Sequence, residues 1–160
     1  MEDNDLIQKE FQALLPVIES YFPEGRSEYS KVNQLIESFK RMSFYENDII
    51  ILMDHKRHQP IYVSDNFQNI TKISKSALFR WKSMFILKLL DYAHFSYAYR
   101  SFIMGMKFFN KISKGERLLA KHFACGMKLK DGEGNIQRIF AKSKILMVDE
   151  KGNLDISIFF

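Results

Sequence analysis

The sequence predicts an α+β domain in which helices cover one face of a single antiparallel sheet. Three observations support this: an early pair of short β-type runs, a long central stretch with helical periodicity, and a final third in which apolar and polar residues alternate. The 160 residues suit one domain, and a composition of 46% hydrophobic and 27% charged residues excludes disordered and collagen-like chains.

Residues 1–47 are predicted to form a helical extension. Apolar residues at three- and four-residue spacing from Leu6 to Ile18 predict a first helix, which Pro16 interrupts, and a second such stripe runs from Val32 to Phe39. An apolar stripe needs a partner surface. We therefore expect these helices to pack either on the outer face of the sheet or against a second copy of the chain.

Two short strands are predicted next, joined as a hairpin. The run from Ile49 to Met53 is short and rich in β-branched residues, which favours a buried strand over a helix. Pro60 opens the second run, Ile61 to Val63, because proline is tolerated at the first residue of a strand. Residues 64–66 are Ser, Asp and Asn, which cap helices, so a short helical turn should begin there.

The segment 76–111 is helical by its period, and its second half contains the clearest apolar stripe of the chain. The stripe consists of Tyr92, Phe95, Tyr99, Phe102, Met106 and Phe109. These side chains either pack directly onto the sheet or, together with Trp81 and Phe85, form the wall of an apolar cavity that admits a small ligand. The sequence leaves both interpretations open.

The last third predicts a three-stranded antiparallel meander. In the first strand Phe123, Cys125 and Met127 share one face, and lysines occupy much of the other, so this strand should be half buried. The Gly-containing segments 131–135 and 149–153 are predicted turns between the three strands.

Two parts of the chain resemble a PAS domain. Ile49 to Asp54 followed by Ile61 to Phe67 is similar to the opening strands and first short helix of that family, and 126–153 is similar to its last strands and turns. The resemblance covers about 48–160, which we take as the sensory domain. It implies a five-stranded antiparallel sheet with helices on one face and a pocket between them.

Within that family the sequence is most similar to the N-terminal sensory segment of LuxR-type transcriptional regulators of Bacteroidetes-like bacteria. The resemblance implies a regulatory module that binds a small apolar ligand or a partner and relays the signal to a DNA-binding helix-turn-helix domain absent from these 160 residues. A homodimer through the N-terminal helices is expected, and the alternative function is a ligand-free dimerisation module. The candidate pocket residues are Tyr62, Trp81, Phe85, Tyr92, Phe95, Tyr99, Phe102, Met106, Phe123 and Met127.

No catalytic motif is present, so an enzyme is not expected. None of the four histidines lies in an HExxH or nucleophile-elbow motif, and the glycines form no phosphate-binding loop. His55 and His58 are predicted to lie in a solvated basic turn, and a haem-binding role for His94 is disfavoured because it lies off the aromatic stripe. Cys125 is predicted to be a small core thiol. Neither a cofactor nor a metal is expected.

The charge pattern favours a cytoplasmic protein. The net charge is +5, no apolar run approaches the roughly 18 residues of a membrane span, and the acidic N-terminus lacks the order of a signal peptide. A less favoured hypothesis is nucleic-acid binding through five basic residues near the centre of the chain. These residues are Lys72, Lys75, Arg80, Lys82 and Lys88.

Overall fold

The structure is a computed structural model that describes residues 29–43, 48–82, 85–113, 116–117 and 123–160. The predicted first helix, between Leu6 and Ile18, lies outside the described residues. The elements are α1 (Tyr29–Ser43), β1 (Ile51–Asp54), β2 (Gln59–Val63), α2 (Asn66–Thr71), α3 (Lys75–Trp81), α4 (Phe85–Leu89), α5 (Tyr92–Lys111), β3 (Phe123–Lys130), β4 (Ile136–Val148) and β5 (Leu154–Phe159).

The strands form one five-stranded antiparallel sheet in the order β2-β1-β5-β4-β3. The predicted hairpin and the predicted meander are therefore both confirmed. β5 joins them, because its residues pair with β1 on one side and with β4 on the other. The α+β fold class is confirmed as well.

Helix α1 lies on the outer face of the sheet. Ile36 and Phe39 pack against a buried cluster of Ile50, Leu52 and Ile158. Of the two partner surfaces expected for this helix, the structure shows the outer face of the sheet. Its apolar stripe is thus used within the chain.

Helices α2 to α4 cover the inner face of β1 and β2. Phe67, Leu78 and Phe85 are almost fully buried there, and they pack with strand residues that include Ile51 and Val63. Burial of large apolar side chains on both sides of β1 supplies much of the hydrophobic stabilisation of this region. We call β2, β1 and β5 the closed half of the sheet, and β4 and β3 the open half.

The predicted helical segment 76–111 consists of three helices rather than one. Ser74 caps α3 because its side chain accepts a hydrogen bond from the Ala77 backbone N at 3.2 Å. Lys82, at the C-terminal end of α3, has a φ of 51°, which a continuing helix does not allow. Leu90 then pairs with Leu129 of β3, so the chain is extended between α4 and α5.

The two meander turns have the same construction, which the shared sequence pattern Asp-X-X-Gly-Asn explains. In the first, the Asn135 backbone N donates to Asp131 Oδ1 at 2.8 Å; in the second, Asn153 donates to Asp149 Oδ1, also at 2.8 Å. The glycine of each turn has a positive φ, 90° at Gly134 and 78° in the second turn, which glycine adopts without the strain a side chain brings. Both predicted turns are confirmed.

No helix among the described residues is long and apolar enough to cross a membrane.

Candidate functional site

The candidate site is the inner face of the open half, where α5 faces the sheet. Strand alternation directs the odd-numbered residues of β3, and those of β4 as far as Ile145, inward; Cys125 pairs with Ala141 and Phe123 pairs with Ser143. On the closed half, the core strand β1 is buried along its length, whereas these inward residues of the open half are at most half buried. The open half therefore offers a partly covered floor.

Helix α5 supplies one wall of this space. Met106 and Phe109 are buried and pack with Leu154 of β5, and Phe102 joins the same cluster from one turn earlier. Phe95 is 6% exposed. The direct packing of the stripe onto the sheet, one of the two interpretations of the sequence, is thus present at its C-terminal end.

The other predicted pocket residues are distributed as follows. Phe85 is buried in the closed-half cluster, and Trp81 is half buried against that cluster with Lys88 Nζ 5.7 Å from its ring centroid. Met127 is half buried on the inner face of β3. Tyr92 and Tyr99 lie in α5, but their side chains lie outside the described part of the structure.

Tyr62 lies on the opposite face of the sheet, so its assignment to the pocket is wrong. The register pairs Ile51 with Val63 and Leu52 with Tyr62, and alternation places these two pairs on opposite faces. Val63 faces the inner cluster, and Tyr62 packs in the outer cluster next to α1.

Phe123 is at the rim of the site and not in its interior. Its side chain is 40% exposed, and its ring lies close to α5 at Gly105, where a Cβ atom would come within 3.3 Å of the ring. A glycine at this position lets the helix and the strand approach each other closely.

A buried polar cluster at the end of β1 escaped the sequence prediction. His55 is 8% exposed, and its Nε2 lies 2.7 Å from the Oγ of Ser157, which is 4% exposed. Burial, with a smaller contribution from the charge of His58, lowers the pKa of His55 to about 3. The prediction of a solvated turn is therefore wrong for His55, because β5 runs beside the turn and covers it.

Neighbouring charges complete this cluster. Lys56 Nζ lies 3.7 Å from an Asp149 oxygen and 3.8 Å from an Asp155 oxygen. Burial alone would raise the pKa of Asp149, but hydrogen bonds from Asn153 and the charge of Lys56 outweigh that effect and lower it. The cluster joins the second meander turn to the β1–β2 hairpin.

The polar groups of this cluster stabilise the fold. A neutral imidazole beside a serine hydroxyl is the pair of groups that nucleophilic catalysis uses, but a nucleophile must be reached by its substrate. Ser157 lies on β5, the central strand between β1 and β4, and is only 4% exposed, so a substrate cannot reach its hydroxyl. We assign His55 and Ser157 to the stability of the closed half.

Other candidate reactive groups are placed as follows. Cys125 is half buried on the floor of the site, and burial raises the pKa of its thiol, which keeps it protonated and weakly nucleophilic. His94 Nδ1 lies 3.5 Å from Asp91 Oδ2 without forming a hydrogen bond. Among the described residues, no three His, Cys, Asp or Glu side chains form a group that could hold a metal ion.

A small solvent-open crevice lies between the C-terminal end of α2, the end of β3 and the start of β4, away from the aromatic stripe. Ile70, Leu129, Gln137 and Ile139 contribute to its lining. The Gln137 side chain donates to the Ile70 carbonyl at 3.4 Å across it, so the crevice is narrow. None of the predicted pocket residues lines it.

Several solved structures are similar to this chain. A PAS domain of a protein from Colwellia psychrerythraea matches with a TM-score of 0.55 and 12% identity, over 79% of this chain and 95% of that chain. A variant of RsLOV matches with a TM-score of 0.57 and 10% identity, over 83% and 67%. An RNA-binding light-oxygen-voltage receptor matches with a TM-score of 0.53 and 13% identity, over 84% of this chain and 35% of that chain.

No family model and no curated protein matches the sequence. The structural matches establish that the chain has the PAS fold, which confirms the fold implied by the sequence resemblance. At 10–13% identity they concern the fold alone.

Proposed function

We propose that this chain is a non-enzymatic sensory domain that binds a small apolar ligand on the inner face of its open half. The observation on which the proposal depends is the incomplete burial of the inward residues of β3 and β4 beneath an aromatic helix. Cys125, Met127, Ala141 and Ser143 are all half buried there. A concave, mostly apolar surface with a few polar groups is the usual form of a small-molecule site.

The polar groups available to such a ligand are few. Ser143 faces inward, since it pairs with Phe123 on β3 and with Phe159 on β5. The Cys125 thiol is the second weakly polar group on the floor. We therefore propose a ligand that is largely apolar and has at most one or two hydrogen-bonding groups.

Native mass spectrometry of the purified protein tests ligand binding. We expect a small-molecule adduct that is lost when the protein is denatured. In the variant Ala141→Leu the larger side chain fills the floor, so the adduct should disappear. Ala124→Leu is the matched control, because Ala124 lies exposed on the outer face of the adjacent strand.

An adduct that survives Ala141→Leu would contradict the proposed position of the site. No adduct in the wild-type protein, followed by no thermal shift with a panel of apolar small molecules, would favour the alternative of a ligand-free interaction module. Circular dichroism of both variants shows whether the fold is retained.

The finer proposal is that this domain belongs to a LuxR-type transcriptional regulator, whose double-stranded DNA target is contacted by a separate domain. The resemblance of 48–160 to sensory segments of such regulators supports it. The coding sequence that follows Phe160 tests it: a helix-turn-helix there is expected, and an unrelated sequence would contradict it.

We also propose that the protein forms a homodimer through its N-terminal extension, 1–47, and functions in the cytoplasm. Val32, Ile36 and Phe39 are buried or half buried within the chain, so we expect the stripe from Leu6 to Ile18 to supply the contact between copies. Light scattering after size-exclusion chromatography should give twice the monomer mass. A monomer at every concentration would contradict the dimer.

A further inference from the structure

The outer face of the open half is a strongly basic surface that the described part of the protein leaves uncovered. Beyond Leu146, which packs in the outer cluster, its outward residues are Ala124, Gly126, Lys128 and Lys130 on β3, and Ile136, Arg138, Phe140, Lys142 and Lys144 on β4. Five of these nine side chains are cationic and none is acidic. Eight of the nine are exposed, Lys128 being the half-buried one.

The cations are arranged on both sides of one aromatic ring. Phe140 lies opposite Gly126, the next outward pair on one side is Lys128 with Arg138, and Lys142 follows on the other side. Successive outward residues of a strand are about 7 Å apart, since each residue rises by about 3.4 Å. The surface thus presents a regular row of positive charge with an aromatic centre.

This positive charge is not neutralised by the described part of the protein. The acidic side chains that form ion pairs there do so with other basic side chains: Asp149 and Asp155 with Lys56, Asp65 with Lys75, Asp54 with Arg57, Glu37 with Lys40, and Asp91 with His94. None of the five cations of the surface has an ion pair with a described residue. A partner is therefore expected to bring negative charge.

The centre of the surface is flat and open. Phe140 is 63% exposed, and a Cβ atom added to Gly126 would have nothing within 4 Å. The Lys142 ammonium lies 5.8 Å from the Phe140 ring centroid and 5.9 Å from that of Phe160. A planar group could stack on the exposed ring while its own negative charge meets the flanking cations.

We propose that this surface binds single-stranded nucleic acid. A polyanion satisfies the five cations, and an unpaired base stacks on Phe140, the combination by which single-strand binding surfaces work. A duplex would not suit the site, because its bases have no free face. The surface differs from the central basic residues considered from sequence, of which Lys75 and Lys88 already have partners in Asp65 and Trp81.

An acidic peptide is the rival occupant, and the chain itself contains one. Residues 1–28 hold seven acidic against two basic side chains. A docked amphipathic helix, however, needs a broad apolar surface, and the only large apolar side chains exposed on this one are Ile136 and Phe140, with Arg138 between them. This surface has many positive charges and little apolar area, which favours a polyanion over a helix as its partner.

Fluorescence anisotropy with the full chain and labelled 12-nucleotide poly(U) and poly(dT) strands tests the proposal. We expect saturable binding that weakens as the KCl concentration rises. A plot of the logarithm of the association constant against the logarithm of the KCl concentration should have a slope of about −3, the value that four to five phosphate contacts on a single strand predict. A labelled 12-base-pair duplex should bind at least tenfold more weakly. The RNA and DNA arms distinguish which sugar is preferred.

Three variants locate the site. Gly126→Glu places a negative charge in open space at the centre and should weaken binding at least tenfold. Gln68→Glu is the matched control with the same charge change on an exposed position of α2, and its affinity should stay within twofold of wild type. Phe140→Ala should weaken binding about tenfold with an unchanged salt slope, since it removes stacking and no charge.

Binding that is equal for the strand and the duplex would overturn the proposal. So would undiminished binding by Gly126→Glu, or the complete absence of binding at 50 mM KCl. If a labelled peptide of residues 1–28 binds the full chain more tightly than either oligonucleotide, and Gly126→Glu weakens that binding, the surface is a peptide site and the proposal is wrong. Circular dichroism of each variant separates loss of binding from loss of fold.

Discussion

The closed half and the open half are parts of one sheet, yet their surroundings differ on both faces. β1 and β5 have α1 on the outside. On the inside α2 to α4 cover β1, and the C-terminal end of α5 packs against Leu154 of β5. Every side chain of these two strands except Phe159 is buried. β3 and β4 face α5 on one side, and on the other side most of their residues are left exposed by the described part of the chain. We infer that the closed half determines stability and that the open half is available for binding.

The largest expected difference between the halves concerns two phenylalanines. Phe67, on α2, is 1% exposed and packs over the closed half, whereas Phe140 in the open half is 63% exposed. Phe67→Ala should lower the free energy of unfolding by about 3–5 kcal/mol, because it leaves a cavity. Phe140→Ala should change it by less than about 0.5 kcal/mol.

Urea denaturation of both variants measures this contrast. Phe67→Leu provides an intermediate case if the alanine variant does not fold. Equal effects at the two positions would contradict the division of the sheet into two halves.

Periodicity in the sequence explains which strands of the two halves could be predicted as buried or half buried. Alternation in 123–130 correctly indicates a half-buried strand, and the dense run at Ile49–Met53 correctly indicates a buried strand. These signals are local, since a neighbour two residues away along the strand shares the same face. Because the apolar faces of strands and helices must pack against each other in layers, the possible strand orders and the positions of the covering helices are limited.

The errors concern contacts between segments distant in the sequence. Tyr62 and His55 were misplaced because their environment depends on register and on β5, which lies about a hundred residues further along the chain. His55 contacts Ser157 at a separation of 102 residues, and no local pattern in 54–59 indicates it. The clearest available signal was the adjacency of the turn to a buried strand.

The second largest effect is a pH dependence that originates in the closed half. The folded state holds His55 neutral with a pKa of about 3, while an unfolded chain has the ordinary value of 6.5. Below pH 6.5 the unfolded state therefore binds more protons, so stability is fully present above that pH and is lost as the pH falls toward 3. Between pH 7 and pH 5 the loss should be about 2 kcal/mol.

Urea denaturation at pH 7 and pH 5 tests this. The His55→Gln variant should be less stable than wild type at pH 7, but its free energy of unfolding should fall much less between pH 7 and pH 5. His94→Gln, which leaves the closed half unchanged, should keep the wild-type pH dependence. If the His55→Gln variant keeps the wild-type pH dependence, a group other than His55 causes it.

A smaller effect is expected from the helix that closes the outer face. Phe39 is half buried against the cluster of Ile50, Leu52 and Ile158. Phe39→Ala should cost about 1–2 kcal/mol, less than a fully buried phenylalanine. Ser38→Ala, on the exposed side of the same helix, should cost less than about 0.5 kcal/mol.

The concentration dependence of the Phe39 effect sharpens the comparison. Because the contact lies within one chain, Phe39→Ala should lower the free energy of unfolding by the same amount at a low micromolar protein concentration and at a concentration 50 times higher. A loss that grows on dilution would mean that α1 packs against a second copy, and the closed half would then be closed by dimerisation.

The smallest effect separates two glycines of the β3–β4 hairpin. Gly134 has a φ of 90° in the turn, whereas Gly126 lies in the strand with open space around it. Gly134→Ala forces a side chain into the left-handed region and should cost about 1 kcal/mol. Gly126→Ala should be neutral or slightly stabilising, since alanine loses less backbone entropy on folding. Thermal unfolding of both variants measures the difference, and a cost at Gly126 that matches the cost at Gly134 would mean that the outer face of the open half is covered.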